Sequence, residues 1–353
     1  MLKDRDLSFD AFRGLAIIAV VSIHAACFGF STRYSSGSQW NFPFLVGYCQ
    51  LLNFAVPAFV FISGYWLSKK PIESPGGYRI FLIRRLSRIL VPYFFWSFIL
   101  LGYAAIREHR IDAHQIILKL MTGQAATPYY PYYFIVMLAQ LYIITPLLQY
   151  INRKGYGLAL VIILNVISLL SLYFSRLFEV IGYLPTRLPF YIWVIFYEIG
   201  LLAGGGDNKV IPSKKMRSFV LPAILAGALV SELESFVILS KFDDTFFAVS
   251  ATKYSSFLYS VFVILGFLVL RERISRWPGF LVALGKYSFG IYLIHIIILA
   301  RVAKVVSSID IVYLFQPVYQ PIVVLLTLLI CFGFIIAVRK LLPESFCEKV
   351  LGF

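Results

Sequence analysis

Three ionisable residues, Asp10, Arg13 and His24, interrupt the first apolar segment of the chain, DAFRGLAIIAVVSIHA. On a helix Asp10 and Arg13, three residues apart, share one face and can pair. Arg13 and His24 are separated by close to three full turns, about 16 Å along the axis. Histidine can accept and return a proton or act as a nucleophile, and arginine can hold a phosphate or carboxylate with two hydrogen bonds. The spacing therefore predicts a proton-transfer group and an anion-binding group on one helix face.

A second candidate group follows the next apolar segment. That segment ends with Ser63 and Tyr65 in the run FISGY, and the basic run that comes after it contains Arg85 and Arg88. The two arginines are one helical turn apart and could clamp an anion together. A cytoplasmic loop also carries basic residues simply to fix orientation, so the local sequence leaves both interpretations open.

Polar residues also recur inside two later apolar segments. Ser288, Tyr292 and His295 are spaced by four and three residues, which places them in one stripe on a helix. Such a stripe must face the interior of a helix bundle or water. Gln140 and Tyr142 lie within another apolar segment. For His295, a catalytic role and a structural hydrogen bond between helices both remain open.

The elements that must position these residues are membrane helices. Of the 353 residues 60% are hydrophobic and only 14% are charged, whereas about 25% is usual in soluble domains. Runs of about 20 apolar residues match the thickness of a hydrocarbon core. We therefore expect an all-α, polytopic bundle of about ten transmembrane helices in a single domain, 1–353. The apolar runs lie at 9–30, 44–67, 89–106, 132–151, 156–175, 188–205, 218–240, 247–270, 279–300 and 319–340.

The net charge of +15 comes from basic residues in short loops between these runs. Alternate loops carry Lys and Arg with a bias of roughly two to one, which predicts that both termini are cytoplasmic. The same distribution argues against nucleic acid as a partner. The four cysteines lack zinc-site spacing, and His109 and His114, with Asp112 between them, lack a third ligand by spacing. We therefore expect no metal.

Taken together, these motifs resemble the membrane acyltransferase 3 family. They follow the family's order from about residue 8 to 300: Asp10-x-x-Arg13-x10-His24, Phe61-x-Ser63-Gly64-Tyr65, Arg85-x-x-Arg88-Ile89-x-x-Pro92, Tyr133-Phe134…Tyr142…Pro146-Leu147 and Ser288-x-Gly290-Ile291-Tyr292-Leu293-x-His295. Tyr133 stands where many members have Trp, and Leu138-Ala139 replace an acidic pair. This pattern looks like the branch that modifies cell-surface polysaccharides without a fused outer domain.

The resemblance implies an O-acyltransferase of a bacterial plasma membrane. It would move an acyl group, such as acetyl, from cytoplasmic acyl-CoA to a hydroxyl of a glycan or lipid-linked sugar. The implied catalytic residues are His24 and Arg13, and the implied donor-binding residues are Arg85, Arg88, Ser63 and Tyr65. Asp10, Gln140, Tyr142, Ser288, Tyr292 and His295 are further candidates. The alternative is a secondary transporter or flippase for a glycolipid or small anion, but we expect neither an inverted repeat nor matched broken helices, which many transporters have.

Overall fold

A computed structural model of the chain describes residues 6–30, 40–69, 72, 74–108, 113–123, 131–178, 190–206, 217–274, 278–309 and 314–353. These residues form helices joined by turns, and no strand occurs among them. The helices are α1 (Leu7–Gly29), α2 (Asn41–Leu52), α3 (Ala55–Ser68), α4 (Pro75–Glu108), α5 (Ala113–Thr122), α6 (Tyr133–Arg153), α7 (Gly157–Leu177), α8 (Phe190–Gly204), α9 (Arg217–Phe242), α10 (Thr245–Ala248), α11 (Tyr254–Ile274), α12 (Gly279–Lys286), α13 (Ser288–Ser307) and α14 (Gln316–Leu341). A C-terminal turn follows, made of Glu344–Phe346 and one π-helical turn, Cys347–Leu351.

The predicted all-α membrane bundle is confirmed. Within the described residues, nine helical segments are long and apolar enough to cross a bilayer, with α2 and α3 counted as one segment. The predicted segment that this count leaves out is the sixth, 188–205, which corresponds to α8 and has only 15 residues. Nearly all of α8 is buried against other helices. By contrast α7 exposes Ile163 and Ile167 on the outside of the bundle, where lipid accepts apolar side chains.

The third segment is longer than predicted. Its helix begins at Pro75 rather than at 89, so Arg84, Arg85 and Arg88 lie on α4 and not in a loop. Hydropathy marks only the part of a helix that crosses lipid, and this helix continues past it. The helical backbone fixes the one-turn spacing of Arg85 and Arg88, which a loop would leave free.

The second segment is broken between α2 and α3, which the sequence analysis did not foresee. Beside the break, Gln50 Nε2 donates to the carbonyl of Ala248 (3.1 Å), and Asn53 Nδ2 donates to that of Ser250 (3.2 Å). Both acceptors belong to the connection between α9 and α11, which folds in against the break. The predicted eighth segment, 247–270, was therefore wrong at its start, since α11 begins at Tyr254. Gln50 and Asn53 thus satisfy the irregular backbone of this connection, as lipid could not.

The ninth segment is also broken, at Tyr287 between α12 and α13. The short α12 packs against α1 with almost no space between the backbones. A methyl group added at Gly14 would overlap the carbonyl oxygen of Leu281, and one added at Gly285 would overlap that of Asp10. The two helices are therefore antiparallel, because the contact moves from 281 to 285 on α12 as it moves from 14 to 10 on α1. The sequence predicted the second and ninth segments as unbroken helices, and both predictions were wrong. The second break lies beside α1, the helix that carries the candidate catalytic residues.

We expect Gly285→Ala to destabilise the protein, because its methyl group would meet the rigid backbone of Asp10 rather than a movable side chain. Overpacking of this kind costs about 1–3 kcal/mol. Gly279→Ala, on the same helix with nothing within 4 Å of the added atom, is the control. Thermal unfolding of the purified protein in detergent should show a lower Tm for the first variant alone. Equal melting of the two variants would contradict the close packing of α1 and α12.

Candidate active site

A cavity of about 580 Å³ opens between α1, α3, α4, α6, α13 and α14. Among the described residues on its wall, four are basic, and they come from four different helices: Arg13, Arg88, Lys286 and Arg339. Glu344 and Glu348, from the C-terminal turn, are the carboxylates on the wall. Four cations gathered around one opening favour a ligand with several negative charges, because guanidinium groups bind phosphate in a fixed, two-pronged geometry.

The rest of the cavity has a different character. Apolar side chains from three helices line it, namely Val20, Val56, Phe59, Phe134 and Leu138. Val20 lies two turns along α1 from Arg13, towards the opposite end of the bundle. The cavity therefore combines a cationic region with an apolar arm, which suits a ligand with an anionic head and a long uncharged chain.

Polar side chains lie at the junction of the two regions. Ser63, Tyr142, Ser288 and Tyr292 all line the cavity, and the hydroxyl of Tyr142 lies within electrostatic reach of Arg13, Arg85 and Arg88. Arg13 itself is paired, since its Nη1 lies 3.0 Å from Oδ1 of Asp10. Asp10 is only 1% exposed. The buried carboxylate thus fixes the direction in which Arg13 presents its guanidinium group.

Two histidines lie next to one another beyond the apolar arm. The ring centroids of His24 and His295 are 5.3 Å apart, and that of Tyr292 lies 5.9 Å from His295. Nδ1 of His295 lies 2.6 Å from the carbonyl oxygen of Tyr292. Because a carbonyl only accepts, this nitrogen carries the proton, and Nε2 of the neutral ring keeps its lone pair. Among the described residues, neither Nε2 of His295 nor Nδ1 of His24 has a hydrogen-bond partner.

The polar stripe predicted on the ninth segment lies inside the bundle. Ser288, Tyr292 and His295 are 5%, 7% and 0% exposed. The hydroxyl of Tyr292 donates to the carbonyl of Pro131, which ties α13 to the start of α6. This bond fixes the ring that lies between the cavity and His295.

Six predicted site residues are not on the cavity wall. His24 and His295 form the pair next to Tyr292, and Asp10 pairs with Arg13. The other three are Tyr65, Arg85 and Gln140. The hydroxyl of Tyr65 accepts from Arg271 Nη1 (3.1 Å), and its ring packs on Phe9 with centroids 4.4 Å apart. Arg85 lies near Tyr142 without lining the cavity. Oε1 of Gln140 is buried with no partner among the described residues. Of the four predicted donor-binding residues, Ser63 and Arg88 therefore reach the cavity.

The contribution of Lys286, Arg339 and the C-terminal turn to the cavity was not predicted from the sequence. In the sequence, Arg339 fits the set of basic loop residues that fix orientation, and nothing in the apolar pattern shows that Glu344–Phe353 fold back against the cavity. One signal was present for Lys286, which directly precedes the polar stripe of α13. His109 and Asp112 lie outside the described residues, whereas His114 is exposed. In the described part of the chain no group of three or more His, Cys, Asp or Glu is placed to hold a metal ion.

These features define a multi-pass membrane protein with a cavity that four basic residues help to line, and with a pair of histidines next to Tyr292 of the cavity wall. A family model described as an acyltransferase domain matches residues 6–336, nearly the whole chain. The chain therefore belongs to the acyltransferase 3 family, and it is a membrane acyltransferase. Searches of curated proteins and of solved structures gave no match.

We expect a thiol placed on the cavity wall to react with a charged reagent from water. In a variant without the four native cysteines, Ser63→Cys should react with an anionic methanethiosulfonate at least about ten times faster than Ser97→Cys, since the reactive form is the solvated thiolate. Ser63 lines the cavity, whereas Ser97, on α4, is 0% exposed. The measurement is the rate of labelling in sealed vesicles in which the cationic region of the cavity faces the external solution. Equal rates would show that water does not enter the cavity.

Proposed function

We propose that this acyltransferase moves an acetyl group from cytoplasmic acetyl-CoA to a hydroxyl of a glycan beyond the opposite face of the membrane. One observation carries the proposal: a single cavity has a cationic region at one end and an apolar arm that ends near the His24–His295 pair. The prediction of cytoplasmic basic loops makes the cationic end the side on which a cytoplasmic donor arrives.

The cavity has the character that an acyl-CoA donor requires. Coenzyme A joins several phosphates to a long, uncharged arm that ends in the thioester. Arg13 and Arg88 would hold phosphates through charge-assisted hydrogen bonds. The arm would extend past Ser63 and Tyr142 into the apolar region beside Val20 and Phe134. The thioester is thereby carried towards His24, which is one helical turn beyond Val20 on α1.

His24 is the general base of the proposed reaction. The acceptor hydroxyl oxygen bonds to the carbonyl carbon of the thioester, the carbon–sulfur bond breaks, and the CoA thiol leaves. His24 takes the proton of the hydroxyl and returns it to the thiolate. His295 acts on His24 as a positioning residue, since its own ring is held by the Tyr292 carbonyl. This arrangement lets donor and acceptor approach from opposite faces of the membrane.

The acceptor is proposed as a cell-surface or lipid-linked glycan, and the membrane as the bacterial plasma membrane. Support comes from the resemblance of the motifs to the polysaccharide-modifying branch. The position of His24 agrees with it, since this residue lies in the half of α1 remote from the basic end, where an extracytoplasmic sugar would arrive. No residue of the cavity wall is needed for this part of the proposal.

We expect His24→Ala to lower acetyl transfer by at least about 100-fold, because general-base catalysis contributes roughly 100- to 10,000-fold. The purified protein is reconstituted in liposomes with radiolabelled acetyl-CoA and candidate glycans, and label is followed from CoA to glycan. Circular dichroism and protease protection confirm that the variant folds and inserts. Label that accumulates on the wild-type protein would show that an acyl-histidine forms, and it would overturn the role of His24 as a general base.

The same assay separates the enzyme from a transporter. If wild type and variant both leave acetyl-CoA intact with every acceptor offered, the donor assignment is wrong. Glycolipid flux without any label transfer would then identify a flippase. Equal transfer by wild type and His24→Ala would instead remove His24 from the reaction while keeping the enzyme.

We expect Arg88→Ala to raise the KM for acetyl-CoA about tenfold, the loss of one charge-assisted contact, with little change in kcat. Arg85→Ala, the matched control one turn away on α4, should change KM less, because Arg85 does not line the cavity. Steady-state kinetics with varied acetyl-CoA give both values. A larger effect at Arg85 would place the donor on the other side of α4.

A further inference from the structure

The C-terminal turn forms part of the cavity wall although it lies beyond the family-matched residues 6–336. It is held firmly in place. Trp96 Nε1 donates to the carbonyl of Leu351 (3.1 Å), and the ring of Phe353 lies 5.9 Å from that of Trp96. Gly352 has a φ of +74°, and an added methyl group would crowd Leu293 on α13. The turn is thus a fixed wall of the cavity between α4 and α13.

Two cations from different helices meet on one aromatic ring at this wall. Lys286 Nζ lies 5.3 Å from the ring centre of Tyr287, and Arg339 Cζ lies 5.8 Å from the same centre. The break between α12 and α13 places Tyr287 there. An aromatic face attracts each cation, but two neighbouring positive charges repel one another, so the pair gains from an anion between or beside them.

The carboxylate of Glu344, which pairs with Arg339, is weakly held. Arg339 Nη2 lies 3.0 Å from Oε1 of Glu344, whose side chain is 75% exposed. Water screens an ion pair this exposed, so the pair contributes little. The other arm of the guanidinium, Nη1, donates to the main-chain oxygen of Phe353 (2.7 Å). Arg339 can therefore exchange Glu344 for another anion while Phe353 keeps its position.

Lys286 and Arg339 lie nearer than Arg13 to the opening at the cationic end of the cavity. Gly285, which directly precedes Lys286, is in contact with Asp10, and Asp10 is one turn closer than Arg13 to the start of α1. Lys286 is also exposed, whereas the Arg13 side chain is 28% exposed. A donor whose thioester points towards His24 has its most distant phosphate at this outer position.

We propose that Lys286 and Arg339 form a second anion subsite, which binds the 3′-phosphate of the acyl-CoA donor and releases Glu344 from Arg339. The inference rests on the proposed function. It adds which phosphate of the donor binds at this subsite and which residues recognise that phosphate. The 3′-phosphate is a dianion at neutral pH with three acceptor oxygens, so it competes well with a single exposed carboxylate. The subsite selects donors that carry this phosphate over those that lack it.

The test measures equilibrium binding of two radiolabelled probes, CoA and 3′-dephospho-CoA, to the purified full chain in nanodiscs. Wild type should bind CoA more tightly than 3′-dephospho-CoA. Arg339→Gln should weaken CoA binding about tenfold, as expected for one charge-assisted contact, and should leave 3′-dephospho-CoA binding unchanged. Lys340→Gln removes the same charge from the adjacent, exposed residue, so it is the matched control and should change neither affinity.

Two further variants separate binding from the structural role of Arg339 in holding Phe353. Lys286→Gln changes an exposed side chain, and it should reduce the preference for CoA while the Tm stays constant. Glu344→Gln should tighten CoA binding about threefold in the wild-type background, since a competing but solvent-screened ion pair is removed. It should have no effect beside Arg339→Gln. Equal tightening in both backgrounds would overturn the exchange of Glu344 for phosphate.

The outcomes distinguish the two proposals. If wild type binds both probes equally, or if Arg339→Gln weakens both probes alike, the subsite is wrong while acyl-CoA remains the donor. If wild type binds neither probe, the proposed donor is wrong and the subsite fails with it. A tenfold loss confined to CoA, with Lys340→Gln unchanged, supports the assignment.

Discussion

The close contact between α1 and α12 is the constraint on which the site depends. In a membrane, lipid tails solvate apolar helices as well as other helices do, so close association depends on small residues and tight packing. Gly14 and Gly285 provide it, each facing the backbone of the other helix. Because α12 runs antiparallel to α1, the chain reverses direction at Tyr287, and α13 then runs parallel to α1. That return brings Lys286 to the cationic region and His295 to His24.

The cost of charge in lipid explains why Arg13 lies at this cavity. A cation in the hydrocarbon core costs several kcal/mol unless it faces water or a partner. Arg13 has both, because it pairs with the buried Asp10 and lines the cavity. The same rule accounts for the other break, where Gln50 and Asn53 satisfy carbonyl groups of the connection after α9. Since protein groups occupy that break, it does not resemble a transporter's substrate site, although it is a broken helix.

Much of this arrangement could be predicted from the sequence, and the rest could not for identifiable reasons. Hydropathy located the ten segments because the length of an apolar run is a local property of the chain. Helical spacing also put Ser288, Tyr292 and His295 on one face. The approach of Arg339 to Tyr287 depends instead on how two distant helices pack, and the fold-back of the C-terminal turn depends on Trp96. Such contacts between distant residues have no periodicity to detect.

The two histidines impose a condition on any acyl transfer at this site. Two imidazolium ions with ring centroids 5.3 Å apart would repel strongly in a medium of low dielectric constant, so the pair holds one added proton at a time. The Tyr292 carbonyl already occupies Nδ1 of His295, which leaves Nε2 as its only basic atom. In the proposed reaction, a proton that His24 takes from an acceptor hydroxyl would therefore remain on the pair until the departing thiolate accepts it. The apolar arm would support this cycle, because it separates the proton from the cationic region and from the water at the mouth.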